Sequence, residues 1–366
     1  MEFSKKPTPR LEVKNMKSYQ APLEGRRNFL RLDFNENTIG PSPLVIEALK
    51  NIPSNHISIY PEYQELKESL TNHLNKEAYL NSLTINQVGI FNGVDAAIHA
   101  IFHAFGDRND PLLTTEPTFG YYSPCAQMQG MEIIKIPYEG DNLDFPCNRI
   151  EQVIQEKKPK LLFICNPNNP TGTIVKPEIL VKLAKQSPST LIVIDELYEA
   201  FTGSSVLPII DFNLIPNIVV LRSFSKTSGL AGLRIGFAIG EHQVIDYINR
   251  VTGPYDINSF AITAALAALK DTEYTDNYIT EVLKAKEWIK NKLSAQNIKH
   301  IIGGGNYFLV WPEKGSMRTQ ELLKEDGILV RDMSNKVLIH GSLRVSIGTR
   351  MQMEDFWRKF ELINHS

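Results

Sequence analysis

Lys226 lies in a segment whose residue types suit covalent chemistry. Ser225 and Thr227 flank it, and Arg234 follows after a stretch of small residues. A lysine amine forms a Schiff base with an aldehyde, and the resulting imine titrates far below a free ammonium group. Hydroxyl groups and a guanidinium are suited to bind a phosphate group carried by the aldehyde that reacts with the lysine. The segment therefore predicts a pyridoxal 5′-phosphate site, although an ordinary surface lysine in a polar loop is the commoner explanation of so short a motif.

Asp195 follows a continuous apolar run and is the second candidate. An ionised carboxylate at the end of a buried strand is costly unless it meets a cation or several hydrogen-bond donors. A protonated pyridine nitrogen is such a cation, and holding it protonated makes the cofactor ring an electron sink. The alternative is that Asp195 caps a following helix. Tyr198, three residues later, could donate to the phenolate oxygen of the same ring.

Two other segments follow apolar runs and could contact the same molecule. Asn169, within residues 166–172, could offer its amide to the phenolate oxygen. Proline and asparagine also favour a rigid turn, and we weigh a turn alone and a turn with ligand contact equally. Gly93, Val94 and Asp95 begin a predicted helix directly after a strand. The backbone NH groups and positive dipole end of that helix could bind a phosphate.

Further side chains have both a functional and a structural interpretation. Phe119 could stack on the cofactor ring, although an aromatic residue there is more often part of the core. Arg344 interrupts an apolar strand, which implies either a substrate carboxylate or an internal salt bridge as its partner. His99 and His103 share a metal-ligand spacing. They lie opposite the apolar face of their helix with no carboxylate to complete a site, so we expect no metal.

Seven short apolar runs alternate with helix-length segments and must position these residues. We expect strands over residues 87–92, 111–115, 132–137, 160–165, 190–195, 217–223 and 235–240. Such alternation predicts βα repeats and an α/β fold with a seven-stranded, mostly parallel sheet. The candidate polar residues fall at the carboxyl ends of these strands, where the functional residues of such sheets gather.

The chain changes character after residue 270. We expect a long amphipathic helix over residues 276–296 and then strands over residues 307–311, 328–331 and 343–347. This order predicts a second, smaller α+β domain. The glycines at 303–305 lack the context of a dinucleotide motif and predict a turn. The predicted domains are an N-terminal arm with part of the small domain (1–44), a large domain (45–270) and a C-terminal small domain (271–366).

The composition indicates an ordinary soluble protein. The 366 residues are 42% hydrophobic and 22% charged, with a formal net charge of -2. Lys and Arg are scattered, so nothing predicts nucleic acid as a partner, and no run approaches membrane-spanning length. The charged N-terminus and three cysteines without metal-ligand spacing suit a reducing compartment. We therefore expect a cytoplasmic protein that acts on small molecules.

Taken together and in this order, the motifs resemble fold-type I pyridoxal-phosphate-dependent aminotransferases. They are most similar to the histidinol-phosphate aminotransferase family, and the resemblance covers nearly the whole chain. It is carried by residues 18–20, 32–37, 40–43 and 60–61, and by the order of Asn169, Asp195, Lys226, Arg234 and Arg344. Each element alone is common, but the ordered set is highly specific.

The resemblance implies roles around the cofactor. Lys226 would bind the cofactor covalently and move protons, Asp195 would pair with the pyridine nitrogen, and Phe119 would stack on the ring. Asn169 and Tyr198 would hold the phenolate oxygen. The cofactor phosphate would be bound by Gly93, Val94, Asp95, Ser223, Ser225 and Arg234. Tyr60 would reach the cofactor phosphate of a partner subunit, which implies a homodimer with shared active sites.

The resemblance also implies substrate contacts. Arg344 would take the α-carboxylate of glutamate, and Arg331 with Tyr19 would hold the phosphate of the second substrate. Asn35 would be a further substrate contact. The chain departs from the family pattern at Asn92, Ala96 and Phe119, where arginine, an acidic residue and tyrosine are usual. Because the contacts there are mainly backbone contacts and stacking needs only a ring, catalysis should survive these changes, although they leave the substrate less defined.

The function implied is amino transfer between L-histidinol phosphate and 2-oxoglutarate, an activity of histidine biosynthesis. One alternative is an aminotransferase for aromatic or other amino acids, because such pockets differ by few residues. A second is a lyase similar to threonine-phosphate decarboxylases. A third, a non-enzymatic regulator with an aminotransferase-like domain, would need a DNA-binding extension for which the chain has no room.

Overall fold

The structure is a computed structural model that describes residues 6–16, 22–77 and 83–365. Its strands are β1 (Leu30–Arg31), β2 (Val88–Phe91), β3 (Pro111–Glu116), β4 (Glu132–Pro137), β5 (Leu161–Cys165), β6 (Leu191–Asp195), β7 (Ile218–Ser223), β8 (Gly236–Gly240), β9 (His300–Ile302), β10 (Tyr307–Val310), β11 (Ile328–Leu329), β12 (Arg331–Asp332) and β13 (Leu343–Ser346).

Its helices are α1 (Leu11–Lys14), α2 (Pro43–Lys50), α3 (Asn55–Ser58), α4 (Gln64–Glu77), α5 (Val94–Phe105), α6 (Tyr122–Gln129), α7 (Cys147–Lys157), α8 (Pro177–Gln186), α9 (His242–Arg250), α10 (Ser259–Lys270), α11 (Thr272–Ala295), α12 (Ser316–Glu325) and α13 (Arg350–His365). In the part of the chain that the structure describes, no helix is both long and apolar enough to cross a membrane.

Seven strands form the large sheet in the order β2-β8-β7-β6-β5-β3-β4. Strand β8 runs antiparallel to β2 and β7, and the other six strands share one direction. The predicted α/β fold with a mostly parallel seven-stranded sheet is confirmed, and for the strands of this sheet every predicted bound lies within one residue of the observed one.

The central strands are apolar throughout because both faces of the sheet are covered. All residues of β5 and β6 are buried. Along β5, Leu162 and Ile164 pack into one hydrophobic cluster, whereas Leu161 and Phe163 pack into another. Successive side chains of a strand point to opposite faces, so a strand between two layers of helices needs apolar residues at every position.

The reversal of β8 keeps the lysine segment at the carboxyl edge of the sheet. Ser223 at the end of β7 pairs with Gly236 at the start of β8. The connecting loop, residues 224–235, therefore turns back above the ends of β6 and β7 instead of crossing to the far edge. Lys226 and Arg234 are both in this loop, which brings them beside the strand that ends at Asp195.

A smaller antiparallel sheet follows, in the order β12-β13-β10-β9. The prediction of one strand over residues 328–331 is wrong. Ile328–Leu329 pairs with β1, whereas Arg331–Asp332 pairs with β13, because the buried Val330 lies where the chain changes sheet. The long helix starts at Thr272, earlier than predicted, because Asp271 accepts a hydrogen bond from the Tyr274 backbone NH and caps it.

The N-terminal segment packs with the C-terminal part of the chain. Leu30 and Arg31 form a parallel pair with β11, and the Leu32 carbonyl accepts from the Ser346 NH. Leu32 also belongs to the hydrophobic cluster of the small sheet. These contacts support the predicted sharing of the small domain between both ends of the chain, and the domain bounds themselves stay a prediction.

Candidate active site

The Lys226 amine lies inside the molecule, at the junction of the two sheets. Its Nζ donates to the backbone carbonyl of Phe34 at 3.0 Å and lies 6.0 Å from the ring centre of Tyr198. Burial, followed by the nearby Arg344 charge, lowers the pKa of Lys226 to about 8. About a tenth of this amine is therefore unprotonated at pH 7, far more than of an ordinary lysine, and can attack a carbonyl.

Asp195 ends β6 with 2% of its surface exposed. Its carboxylate accepts from the Tyr122 hydroxyl at 2.6 Å and from the Leu197 backbone NH at 3.3 Å. Burial raises the pKa of Asp195 to about 6, and the Tyr122 bond opposes that rise. The helix-cap alternative is not what is observed, because only a short 3-10 helix, Glu199–Phe201, follows.

A concave backbone surface forms at the start of α5. Gly93 has φ +80, and a Cβ atom built there would come within 2.3 Å of Arg234 Nη2. At the first residue of β8, a Cβ on Gly236 would come within 2.7 Å of the Val94 backbone nitrogen. Glycine at both positions therefore lets the helix N-terminus, β8 and the Arg234 side chain converge, and such a terminus favours an anion.

Hydroxyl and charged groups that could bind a phosphate surround this surface. Ser223 Oγ donates to Ser225 Oγ at 2.9 Å and also accepts from the Ser225 backbone NH at 3.1 Å. Arg234 Nη2 donates to the Asp95 carboxylate at 3.0 Å. Asp95 is in the first turn of α5, half exposed, so its carboxylate and a bound phosphate would share the same guanidinium.

Two asparagine side chains meet at the Tyr198 hydroxyl. Asn35 Nδ2 donates to it at 3.1 Å and Asn169 Nδ2 at 3.4 Å. Because the hydroxyl oxygen accepts from two amides, its own proton can be donated to a further acceptor such as a ligand oxygen. Asn35 is fully buried; Ser346 donates to its Oδ1 at 3.0 Å, and Asn306 Nδ2 donates to its backbone carbonyl at 3.3 Å.

Two arginines face each other across the small sheet. Arg331 of β12 and Arg344 of β13 are direct partners in the antiparallel register. Arg344 is 8% exposed and donates to Asn169 Oδ1 at 2.6 Å and to the Asp33 carbonyl, which are neutral acceptors. Among the described residues, no carboxylate lies within ion-pair distance of Arg331. Both guanidinium groups are cationic, so an anion that contacted both of them would be stabilised.

One N-terminal segment, residues 33–36, touches most of these groups. Its backbone accepts from Arg344 at Asp33 and from Lys226 at Phe34, and its Asn35 amide donates to Tyr198. These contacts join residues that are 163 to 311 positions apart in the chain. Sequence reasoning named only Asn35 here, since local pattern does not reveal such long-range partners.

The remaining predicted residues lie at the edge of the site or outside it. Phe119 is partly buried and meets the Tyr122 ring edge-on, with ring centres 5.5 Å apart. Tyr60 is 66% exposed and stacks on Tyr255 with ring centres 3.8 Å apart. Tyr19 lies outside the described residues. His99 is bonded to the Tyr121 hydroxyl, and the described chain contains no group of three or more residues suited to hold a metal ion.

Sequence reasoning missed Tyr122, although it lies in the same aromatic stretch as Phe119. It also missed Tyr307, whose hydroxyl donates to the Asn168 carbonyl at 2.6 Å, and thereby supports the loop that carries Asn169. Both tyrosines are fully buried, and a buried hydroxyl requires a polar partner, but the residues around Tyr122 in the sequence do not indicate its burial.

The sequence of this chain matches a family model, aminotransferase class I and II, over residues 27–360. The chain belongs to this family. It is a transaminase, and the family and the donor set described above both point to pyridoxal 5′-phosphate as its cofactor. The set fits that molecule: a deprotonatable buried amine for the aldehyde, a buried carboxylate for the pyridine nitrogen and an anion-binding helix start for the phosphate.

Known aminotransferases resemble this one over almost their full length. A histidinol-phosphate aminotransferase from Caldanaerobacter subterraneus is 31% identical over 346 residues, which are 93% of this chain and 94% of that protein. The predicted resemblance to histidinol-phosphate aminotransferases is thereby confirmed. A dihydroxyacetone phosphate transaminase from Campylobacter jejuni is 35% identical over 338 residues, covering 89% of this chain and 88% of that protein.

The fold is shared with solved structures. The histidinol-phosphate aminotransferase from Sinorhizobium meliloti, solved in complex with pyridoxal 5′-phosphate, superposes with a TM-score of 0.86 at 21% identity. The superposition covers 98% of this chain and 99% of that one. At this identity the likeness establishes the fold, fold-type I, and the assignment of individual residues rests on the contacts described above.

Proposed function

We propose that this transaminase moves an amino group between L-histidinol phosphate and 2-oxoglutarate, giving imidazole acetol phosphate and L-glutamate. The observation that carries the proposal is the pair of opposed arginines, Arg331 and Arg344. A substrate that is an anion at one end and an amine at the other would fit between this pair and Lys226. The names of several relatives, including the one from Caldanaerobacter, support histidinol phosphate as that substrate.

The proposed substrate roles are those that the family resemblance implies. Arg344 takes the α-carboxylate of glutamate, and Arg331 takes either the second carboxylate of glutamate or the phosphate of the other substrate. Asn35 is proposed as a further substrate contact, and its side-chain amide also holds the Tyr198 hydroxyl in position. Tyr19, which precedes this segment in the chain, is proposed as a further phosphate contact.

On the cofactor side, Gly93, Val94, Asp95, Ser223, Ser225 and Arg234 would hold the phosphate of pyridoxal 5′-phosphate. The cofactor supplies an aldehyde and, when its ring nitrogen is protonated, an electron sink. Asp195 keeps that nitrogen protonated, since a carboxylate beside a cation stabilises the charged form. Asn169 and the Tyr198 proton bind its phenolate oxygen, and Phe119 covers the ring. The Lys226 amine would take up the proton from the α-carbon of the substrate and deliver it to the cofactor carbon that bore the aldehyde.

We also propose that the enzyme is a homodimer with shared active sites. Tyr60 supports this, because an aromatic side chain that is 66% exposed and already stacked on Tyr255 is available to a second copy. Analytical ultracentrifugation is expected to give twice the mass of 41.4 kDa. A monomer at micromolar concentration that retains full activity would contradict the shared site.

The substrate is tested by half-reactions. Holoenzyme is mixed with L-histidinol phosphate, L-phenylalanine or L-tyrosine, and loss of the cofactor's visible absorbance is timed. We expect histidinol phosphate to have the highest specificity constant. If phenylalanine reacts clearly faster, the enzyme is an aromatic aminotransferase and the histidine-pathway assignment is wrong. Release of carbon dioxide from a phosphorylated amino acid would instead indicate the decarboxylase alternative.

A second candidate acceptor is dihydroxyacetone phosphate. It is favoured by the Campylobacter relative, which has 35% identity. Both candidates present a phosphate to the arginine pair, and they differ in the imidazole ring. The test starts from enzyme converted to its amino form with L-glutamate and adds dihydroxyacetone phosphate. Recovery of the visible band faster than with imidazole acetol phosphate would select this candidate.

A further inference from the structure

Arg26 binds two carboxylates at once and has no role in the proposed reaction. Its guanidinium contacts Asp33 through Nε at 3.0 Å and Nη2 at 2.6 Å. It contacts Glu36 through Nη1 at 3.2 Å and Nη2 at 2.8 Å. The side chains of Arg26 and Asp33 are 11% and 7% exposed, so these are largely desolvated charges. A bidentate arginine between two carboxylates is a specific arrangement rather than a loose surface pair.

The charges of this cluster are close to balanced. Arg26 offsets one of the two carboxylates, and Arg31, 3.4 Å from Glu36, offsets the other. The Glu36 pKa is lowered against its burial by hydrogen bonding to Arg26, then by the charges of Arg26, Arg31 and Lys226. Neither carboxylate pairs with Arg331, which is the arginine proposed to bind the substrate anion.

Arg331 is nonetheless close to the cluster. The guanidinium carbons of Arg26 and Arg331 lie 4.1 Å and 5.7 Å from the centre of the same Phe34 ring. Arg26, Asp33 and Arg331 also line one cavity of about 500 Å³. A carboxylate released from Arg26 would therefore find Arg331 as a nearby cation, because an unpaired, largely buried carboxylate is costly.

We propose that Arg26 is a positioning residue that holds the Asp33 and Glu36 carboxylates and so keeps them from competing with the substrate anion for Arg331. The contacts of Arg26 with Asp33 and Glu36 also hold the segment 33–36, whose backbone carbonyls accept from Arg344 and Lys226. This inference deepens the proposed function, because it rests on the proposed role of Arg331. It assigns substrate-anion affinity to a residue that touches neither substrate nor cofactor.

The test compares Arg26→Gln with Arg27→Gln. Arg27 is the neighbouring arginine, is exposed and makes no ion pair within the described chain, so its removal changes the net charge equally. The readouts are the L-glutamate concentration that half-saturates the half-reaction of the holoenzyme and the inhibition constant of inorganic phosphate. We expect Arg26→Gln to raise both about tenfold and Arg27→Gln to change them less than about twofold.

Two further variants distinguish competition of the Asp33 and Glu36 carboxylates for Arg331 from a purely structural role of Arg26. Adding Asp33→Asn and Glu36→Gln to Arg26→Gln removes the released carboxylates, and we expect most of the lost affinity to return. Arg26→Lys keeps the charge but loses the bidentate contacts, so we expect both constants to lie between those of wild type and those of Arg26→Gln. It also supplies the test if Arg26→Gln does not fold. A lysine variant as defective as the glutamine variant, or a triple variant without recovery, would overturn the proposal.

The inference can fail independently of the proposed function. If Arg331→Gln weakens glutamate and phosphate binding but Arg26→Gln does not, only the role of Arg26 is wrong. If Arg331→Gln leaves both constants unchanged, the proposed anion site and this inference fall together. Neither outcome depends on whether histidinol phosphate proves to be the physiological amine, because glutamate and inorganic phosphate are the probes.

Discussion

The two halves of the site are built in different ways. The cofactor half is assembled from the ends of neighbouring strands of one sheet, where Asp195 closes β6 and Ser223 closes β7. The substrate half joins the short strands β12 and β13 to an N-terminal segment about 300 residues away in the chain, as in the bond from Arg344 to Asp33, which are 311 positions apart. The first half follows from sheet topology, whereas the second depends on packing between distant segments.

The residues proposed to catalyse the reaction and those proposed to determine substrate specificity therefore lie on different parts of the fold. The groups proposed to bind the pyridine ring and the phosphate lie at the ends of strands of the large sheet. The groups proposed to select the substrate lie where the small sheet meets the N-terminal segment. A small number of substitutions there would change the local charge. Changes to the cofactor half should therefore abolish turnover, and changes to the substrate half should alter affinity while cofactor binding persists.

The largest effect is expected for Lys226→Ala. Loss of the amine removes the covalent anchor and the proton carrier, so turnover should fall at least about 10⁴-fold. Steady-state transamination with L-glutamate and 2-oxoglutarate measures it. Lys286→Ala is the control, since burial also lowers the Lys286 pKa to about 8, but its Nζ donates to the Gly303 carbonyl. Equal losses in both variants would refute a special role for Lys226.

Asp195→Asn should have the next largest effect. An amide cannot stabilise a protonated pyridine nitrogen as a carboxylate does, so kcat should fall by about 10²- to 10⁴-fold. The dissociation constant of glutamate, measured from the half-reaction, should change only a few-fold, because Asp195 faces the cofactor half. A variant that loses affinity but keeps kcat would contradict the division between the halves.

The local origin of the cofactor half explains why sequence could predict it. Each large-sheet strand is a short apolar run bounded by polar residues, and the carboxyl ends of parallel strands meet at one edge. Asp195, Asn169 and Lys226 are therefore predicted as neighbours without knowledge of side-chain packing. The start of α5 at Val94 was predicted by the same logic, from a glycine between a strand and a helix.

The substrate half was predicted only in part. Arg344 was found because it interrupts an apolar strand, but its pairing with Arg331 required the register of β12 and β13. The division of residues 328–332 between two sheets is not a property of their local pattern, since it follows from which strand each segment meets. Likewise, Arg26 is one of several charged residues near the N-terminus, and only its two bidentate partners distinguish it.

Arg331→Gln should produce a smaller, selective effect. Removing one guanidinium from the pair should lower kcat/KM for a phosphorylated substrate about 10- to 100-fold, mainly through KM. The cofactor absorbance should be unchanged, which absorption spectra of the purified variant will check. A variant that binds the phosphorylated substrate normally but loses its cofactor would reverse the assignment of the two halves.

Tyr122→Phe is expected to have the smallest effect, a change in pH dependence. The Tyr122 hydroxyl donates to the Asp195 carboxylate, so its loss destabilises the ionised form and raises the Asp195 pKa. Lys226 and Asp95 also act on this group, in opposite directions, and remain in the variant. The acidic limb of the kcat profile should therefore move to higher pH, with activity at pH 6 reduced more than at pH 8.

Tyr121→Phe is the matched control for that profile. Its hydroxyl contacts His99 rather than Asp195, so its removal should leave the acidic limb in place. A shift of the same size in both tyrosine variants would show that the limb reports a general loss of packing and not the Asp195 carboxylate.

The central claim, that Lys226 is the amine at which the cofactor is bound, can be tested on a single residue. The enzyme with pyridoxal 5′-phosphate is reduced with borohydride, digested and analysed by mass spectrometry. We predict one modified peptide, carrying the reduced cofactor mass on Lys226. Stoichiometric modification of another lysine, or an unmodified Lys226 in enzyme that is fully active before reduction, would contradict the account.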